Sequence, residues 1–113
     1  MMIHRVEDAE GSGPYRLDPC EEMVYAHNTD ERPGREDFPL KMPDPRGNFY
    51  GCASAYLLET WFSGWGDLLR YGEYRVQTYH VSVEDVVVGF SGKQLVFLRD
   101  KSYADETLEI WWD

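Results

Sequence analysis

Five of the six prolines, Pro19, Pro33, Pro39, Pro43 and Pro45, fall within residues 18–48. Proline fixes φ and carries no amide donor, so it interrupts helix interiors and central strands alike. The same stretch is crowded with charge and shows no sustained hydrophobic period. Beyond a possible helical turn near Glu21 to Tyr25, it reads as one long irregular loop. Regular structure must then come from a short segment before it and from the chain after it. An irregular run of this length is uncommon in a compact domain and tends to be functional or mobile.

The segments on either side are periodic. Ile3-His4-Arg5-Val6 reads as a short strand, with Ile3 and Arg5 on one face and His4 and Val6 on the other. Leu57, Leu58, Trp61 and Phe62 recur at helical spacing, Ser54 is placed to cap that helix, and Gly64 and Gly66 close it. Residues 67–72 read as a short second helix, with Asp67 near its start and Gly72 as its stop. Residues 74–81 alternate as a strand: Tyr74, Val76, Thr78 and His80 share one face, and Arg75, Gln77, Tyr79 and Val81 the other. Residues 82–85 make a turn. Residues 86–90 and 93–98 form a hairpin about Ser91-Gly92. A polar loop over 100–107 then leads to a terminal strand over 108–112. The order predicts a single α+β domain over residues 1–113: a small, twisted, mostly antiparallel sheet carrying one main helix and one shorter one. The expected core is Val6, Leu57, Leu58, Trp61, Phe62, Leu68, Val76, Val87, Leu95 and Phe97.

Composition decides that such a chain folds. Its 113 residues carry a net charge of −10, yet 42% are hydrophobic and 15% aromatic. Acidity with few apolar residues marks a disordered chain, but this many rings support a packed core under an acidic surface. Chains of this size have a radius of gyration of roughly 13 Å. A pI near 4.6 argues against nucleic acid and anionic membranes as ligands, since both are bound by basic surfaces. It permits a basic protein surface as partner, and it equally suits a charge that simply keeps a small protein soluble. The excess is even: residues 1–50 hold eleven acids against six bases, and residues 51–113 hold ten against five. Without an apolar stretch at the N-terminus or an 18-residue apolar run, neither a secretory signal nor a membrane helix is expected. Cys20 and Cys52 are then expected to be reduced thiols in a cytosolic protein.

No motif in the chain has the spacing of a known site. His4, His27, His80, Cys20 and Cys52 lack the close ligand pairs that zinc sites use, so no metal is expected, and His27 reads as a loop residue facing solvent. Gly51-Cys52-Ala53-Ser54 opens a helix, where a dipole would favour a thiolate. The simpler reading packs Cys52 and Ala53 beneath the helix while Ser54 caps it. Gly11-Ser12-Gly13 is a turn, too short for a phosphate loop. Adjacent acids such as Asp30-Glu31 and Glu36-Asp37 are solvated charge, and are the expected contacts to a basic partner.

Certain segments carry resemblances. Ile3-His4-Arg5-Val6-Glu7 with Gly13-Pro14-Tyr15, Phe49-Tyr50-Gly51-Cys52-Ala53-Ser54 leading into Leu58 and Trp61-Phe62, Gly72-Glu73-Tyr74-Arg75-Val76, and Lys93-Gln94-Leu95-Val96-Phe97 are together similar to small proteins of uncharacterised function encoded by bacteriophages and their bacterial relatives. The same order resembles a trimmed ADP-ribosyltransferase fold. That second resemblance implies NAD contacts from His4, Arg5 and Tyr15, and a site drawn from Arg5, Tyr50, Ser54 and Gln94. Gln94 would stand where a catalytic Glu is usual, and a neutral amide cannot act as a base. The leading expectation is therefore a phage-associated interaction protein without a cofactor, whose acidic surface blocks a basic site on a bacterial protein. An NAD-binding transferase or its inactive relative is one alternative. A self-associating virion component is another.

Overall fold

The computed structural model describes residues 1–15, 18–29, 35–39 and 48–113. Its strands and helices follow in the order β1 (Met2–Glu7), α1 (Glu21–Thr29), β2 (Asn48–Gly51), α2 (Ala55–Trp61), α3 (Gly66–Tyr71), β3 (Arg75–Val81), β4 (Val86–Val88), β5 (Leu95–Leu98) and β6 (Ser102–Leu108). Single 3₁₀ turns lie at Arg35–Asp37, Val83–Asp85 and Arg99–Lys101. The strands form two three-stranded antiparallel sheets, ordered β1-β3-β6 and β2-β5-β4. The α+β class read from the sequence is the class that forms, with two sheets in place of one. Periodicity marks strands but not their partners: the β4–β5 hairpin pairs with β2 and not with β3.

The two-residue period of β1 and β3 explains the layering. Ile3 pairs with Tyr79 and Val6 with Val76, so each pair points to its own face of the first sheet. Val6 and Val76 bury against Met23 of α1, Leu58 of α2 and Leu69 of α3. Ile3 and Tyr79 bury against Leu95 and Phe97 of β5. The first sheet is thus a middle layer, with helices on one side and the second sheet on the other. One bridge ties the sheets at an edge: His4 and Cys52 exchange both backbone hydrogen bonds, each at 2.8 Å. The radius of gyration, 13.3 Å, is that of a close-packed chain of this length.

The helices over 55–61 and 66–71 stand where the sequence puts them. The Ser54 side chain accepts the Leu57 amide at 3.1 Å, and Gly72 ends α3. Of the expected core, Val6, Leu58, Phe62, Val76, Leu95 and Phe97 are buried, and Leu57, Trp61 and Leu68 pack half-buried against them. Val87 is only half-buried, because β4 is an outer strand.

Four segments differ from the reading, the first being strand β2 over Asn48–Gly51, where the sequence shows no strand period. The helical turn near residue 21 extends to the full helix α1: Glu21 and Glu22 sit in its first turn, where the helix dipole favours acids. Met23 and His27, one turn apart, bury its inner face. The polar loop over 100–107 is strand β6. The expected terminal strand, 108–112, lies mostly beyond β6 and packs on the helices instead. Ile110 and Trp112 enter the helical core, and Arg70 donates to their carbonyl oxygens at 2.9 and 2.7 Å.

Candidate interface: an acidic edge strand

The residues implied by the transferase resemblance are engaged within the fold, and Arg5 meets Tyr50 at its backbone carbonyl oxygen. Arg5 is buried between the sheets, where it donates to the carbonyl oxygens of Tyr50 at 2.9 Å and Gly11 at 3.3 Å. Its guanidinium lies 4.7 Å from the centre of the Phe49 ring, and its Nε lies 3.3 Å from Glu7 Oε1. Glu7 also accepts the Tyr79 hydroxyl. Arg99 covers the Phe49 and Tyr79 rings from 4.9 and 5.6 Å. This is a charged network closing the core. Burial pushes the Tyr79 phenol up to about 12, the bond to Glu7 adding to it. Burial pulls Arg5 down while Glu7 opposes that.

The other positions have local roles. Ser54 caps α2. Tyr50 is exposed, its ring edge-on to Phe38 at 5.8 Å. His4 is half-buried beside the Cys52 bridge, and burial lowers its pKa against the raising effect of a backbone bond to Cys52. Tyr15 lies on the helical side, its hydroxyl 2.7 Å from Nδ1 of His27 and accepting the Trp61 indole N–H. His27 is therefore not the solvent-facing residue the sequence suggests. It is buried among Tyr15, Phe62 and Trp65. Cys52 is buried and its thiol is pushed up to about 12 by burial, so the helix start does not make it a thiolate. Ala53, expected beneath the helix with it, is exposed. No cluster of three or more His, Cys, Asp or Glu among the described residues is arranged to hold a metal ion.

The expected acidic contacts also divide. Asp30 and Glu31 lie outside the described residues. Glu36 is exposed, but Asp37 is only 5% exposed and serves the fold. Its carboxylate accepts the Ser91 amide at 2.7 Å, the Ser91 hydroxyl at 2.8 Å and the Gln94 side-chain amide at 3.2 Å. Its carbonyl oxygen accepts the Phe90 amide at 2.8 Å. Asp37 is thus the clamp on the β4–β5 turn, and Gln94 is one of its partners. Burial alone would raise its pKa. The bonds from Ser91 and Gln94, helped by Lys93, outweigh that and hold the carboxyl below its usual range.

The surface that does gather exposed acids and rings is β6 and the tail after it. Residues 102–113 carry four acids, Asp105, Glu106, Glu109 and Asp113, and no base. Within β6 every residue after Ser102 is exposed. Tyr103 is 69% exposed, and Trp111 of the tail 43%. Met2, His80 and Tyr103 form a row across the three strands. The His80 ring stacks on Tyr103 with centroids 5.3 Å apart, and its Nε2 lies 2.8 Å from Asp105 Oδ2. The strand is anchored from beneath. Between Gln77 and Tyr79 the register shifts by a bulge. Thr78 Oγ1 accepts the Glu106 amide at 2.8 Å, and Gln77 Nε2 donates to the Glu106 carbonyl at 2.8 Å. Thr107 donates its hydroxyl to Gln77 Oε1 at 2.7 Å. This strand is not legible in the sequence because Asp-Glu-Thr lacks the β-branched and aromatic alternation of a half-buried strand. The available signal was the run of acids without a base.

No helix among the described residues is long and apolar enough to cross a membrane. No curated protein and no solved structure matches the chain. One family model does, and it is a phage family and not a transferase one. The match runs over residues 1–111, and the chain belongs to the family described as Bacteriophage T4 Y00F protein.

Proposed function

We propose that this phage protein is an acidic binding module that engages and blocks a basic site on a protein of the bacterial host. One observation carries the reading: a stretch of four acids without a base forms an exposed edge strand with a ring-bearing tail. Acids displayed on a rigid strand give an oriented field that steers a cationic surface into place. Tyr103 and Trp111 add the large, semi-rigid contact area that binding surfaces favour. Structural work absorbs Arg5, Ser54, Asp37 and Gln94, so the reading assigns no catalytic residue and no cofactor.

Capture from bacterial lysate tests it. Screening lengths shrink from about 10 Å near 0.1 M salt to about 3 Å near 1 M, so a partner held by exposed charge is lost at high salt. The expected result is a basic protein retained at low salt, released near 1 M, and lost with the Glu106→Lys/Glu109→Lys variant. A partner retained unchanged at high salt, or no partner at all, overturns the reading.

A further inference from the structure

Building on that reading, we infer that β6 takes up a basic extended segment of its partner as an added antiparallel or parallel strand along its outer edge. The inference starts from sheet order. In β1-β3-β6 the middle strand is β3, and the far side of β1 is tied at His4 to Cys52. The outer side of β6 has no strand against it among the described residues. At seven residues and roughly 3.4 Å per residue, β6 offers an edge of about 24 Å. On either side of the bulge opposite Thr78, alternate residues turn their N–H and C=O groups away from β3, which is the pattern an incoming strand reads.

Charge selects the occupant. A second copy of this chain would bring another net charge of −10 and the same acids to the same edge, which is how natural edges avoid pairing with themselves. A strand rich in Lys or Arg meets the opposite condition. Such a strand places cations beside Asp105 and Glu106, the two acids of β6. The bulge contributes rigidity: Gln77, Thr78 and Thr107 fix the inner register of β6, so its outer groups are held in place before a partner arrives. Edge geometry gives affinity and acidic side chains give specificity, the division expected of strand addition.

The test uses the whole protein and two synthetic probes, a short peptide of alternating lysine and valine and the same peptide with every backbone amide N-methylated. Both probes carry the same charge, but only the first keeps the amide donors that pairing with an edge strand requires. The expected result is at least about tenfold weaker binding by the methylated probe, because several backbone hydrogen bonds are lost at about 1 kcal/mol each. Slowed amide exchange should appear in residues 102–108 with the first probe only. Equal binding by both probes, or protection elsewhere in the chain, overturns strand addition while leaving the charge-based reading in place. Failure of both probes to bind also overturns it. The lysate experiment at two salt concentrations decides the broader reading independently.

Discussion

Asp37 shows how a single side chain changes meaning between sequence and structure. In the sequence it is half of an adjacent acid pair, one of several in a chain with 21 acids. In the fold it is 5% exposed and holds Ser91 and Gln94, more than fifty residues away, by three hydrogen bonds. Nothing local announces this, because its donors belong to a turn that is distant in sequence. A carboxylate that only accepts is matched to donors on every side, and an amide presents N–H groups to some of them. Asp37→Asn should therefore destabilise the protein by about 1–3 kcal/mol in urea unfolding. Glu36→Gln, next to it but exposed, should stay within about 0.5 kcal/mol. The acid dependence follows the same logic. A carboxyl held below its usual range stabilises the fold above the ordinary carboxylate pKa and loses its contribution as pH falls through its lower folded value. The Asn variant should lack that part of the acid limb. Equal acid limbs in the two proteins would show that the clamp does not depend on the charge.

Elements were legible where an apolar run is bounded by turn residues or recurs at helical spacing: the β4–β5 hairpin about Ser91-Gly92, α2 with its Ser54 cap, and α3 ending at Gly72. Strand β6 was illegible for the converse reason: it sits at an edge and is exposed after Ser102, so no alternation is imposed on it. The tail misled in another way. Ile110 and Trp112 are buried and Trp111 is exposed, a two-residue alternation that reads as a strand although the segment docks on helices. That docking has a strict steric condition at the start of α3. A Cβ on Gly66 would lie 1.8 Å from the Trp112 carbonyl oxygen, whereas one on Gly64 would meet nothing. Gly64 instead has a φ of +86°, a left-handed conformation that costs other residues roughly 1–2 kcal/mol. Gly64→Ala should cost that amount and leave Trp112 buried. Gly66→Ala must displace the tail, costing about 3 kcal/mol, with Trp fluorescence shifting toward that of solvent-exposed indole. Equal costs and unchanged emission in both variants would mean that the tail does not pack against α3 as described.

At the scale of the molecule, the first sheet divides the interior into two cores, and each contains a buried acid that titrates only at high pH. Cys52 lies in the helical core, and Tyr79 lies between the sheets. Burial raises the first from 9.0 and the second from 10.0, each to about 12. Between those limits the folded chain keeps a proton that the unfolded chain has released. Stability therefore falls as pH rises, by about 1.4 kcal/mol per pH unit for each group. The contribution is complete below pH 9.0 for Cys52 and below pH 10.0 for Tyr79, and it is lost on approach to about 12. Urea unfolding followed across this range should show one slope beginning near the first value and a steeper one beyond the second. Cys52→Ala weakens the first onset, which Cys20 shares because burial raises its thiol from 9.0 as well, and keeps the second. Tyr79→Phe does the reverse, from a lower starting stability because Glu7 loses its buried donor. If the two cores unfold as one cooperative unit, either substitution changes the same single transition. Two separated transitions, each responding to one variant, would show that the middle sheet insulates the helical layer from the sheet beneath it.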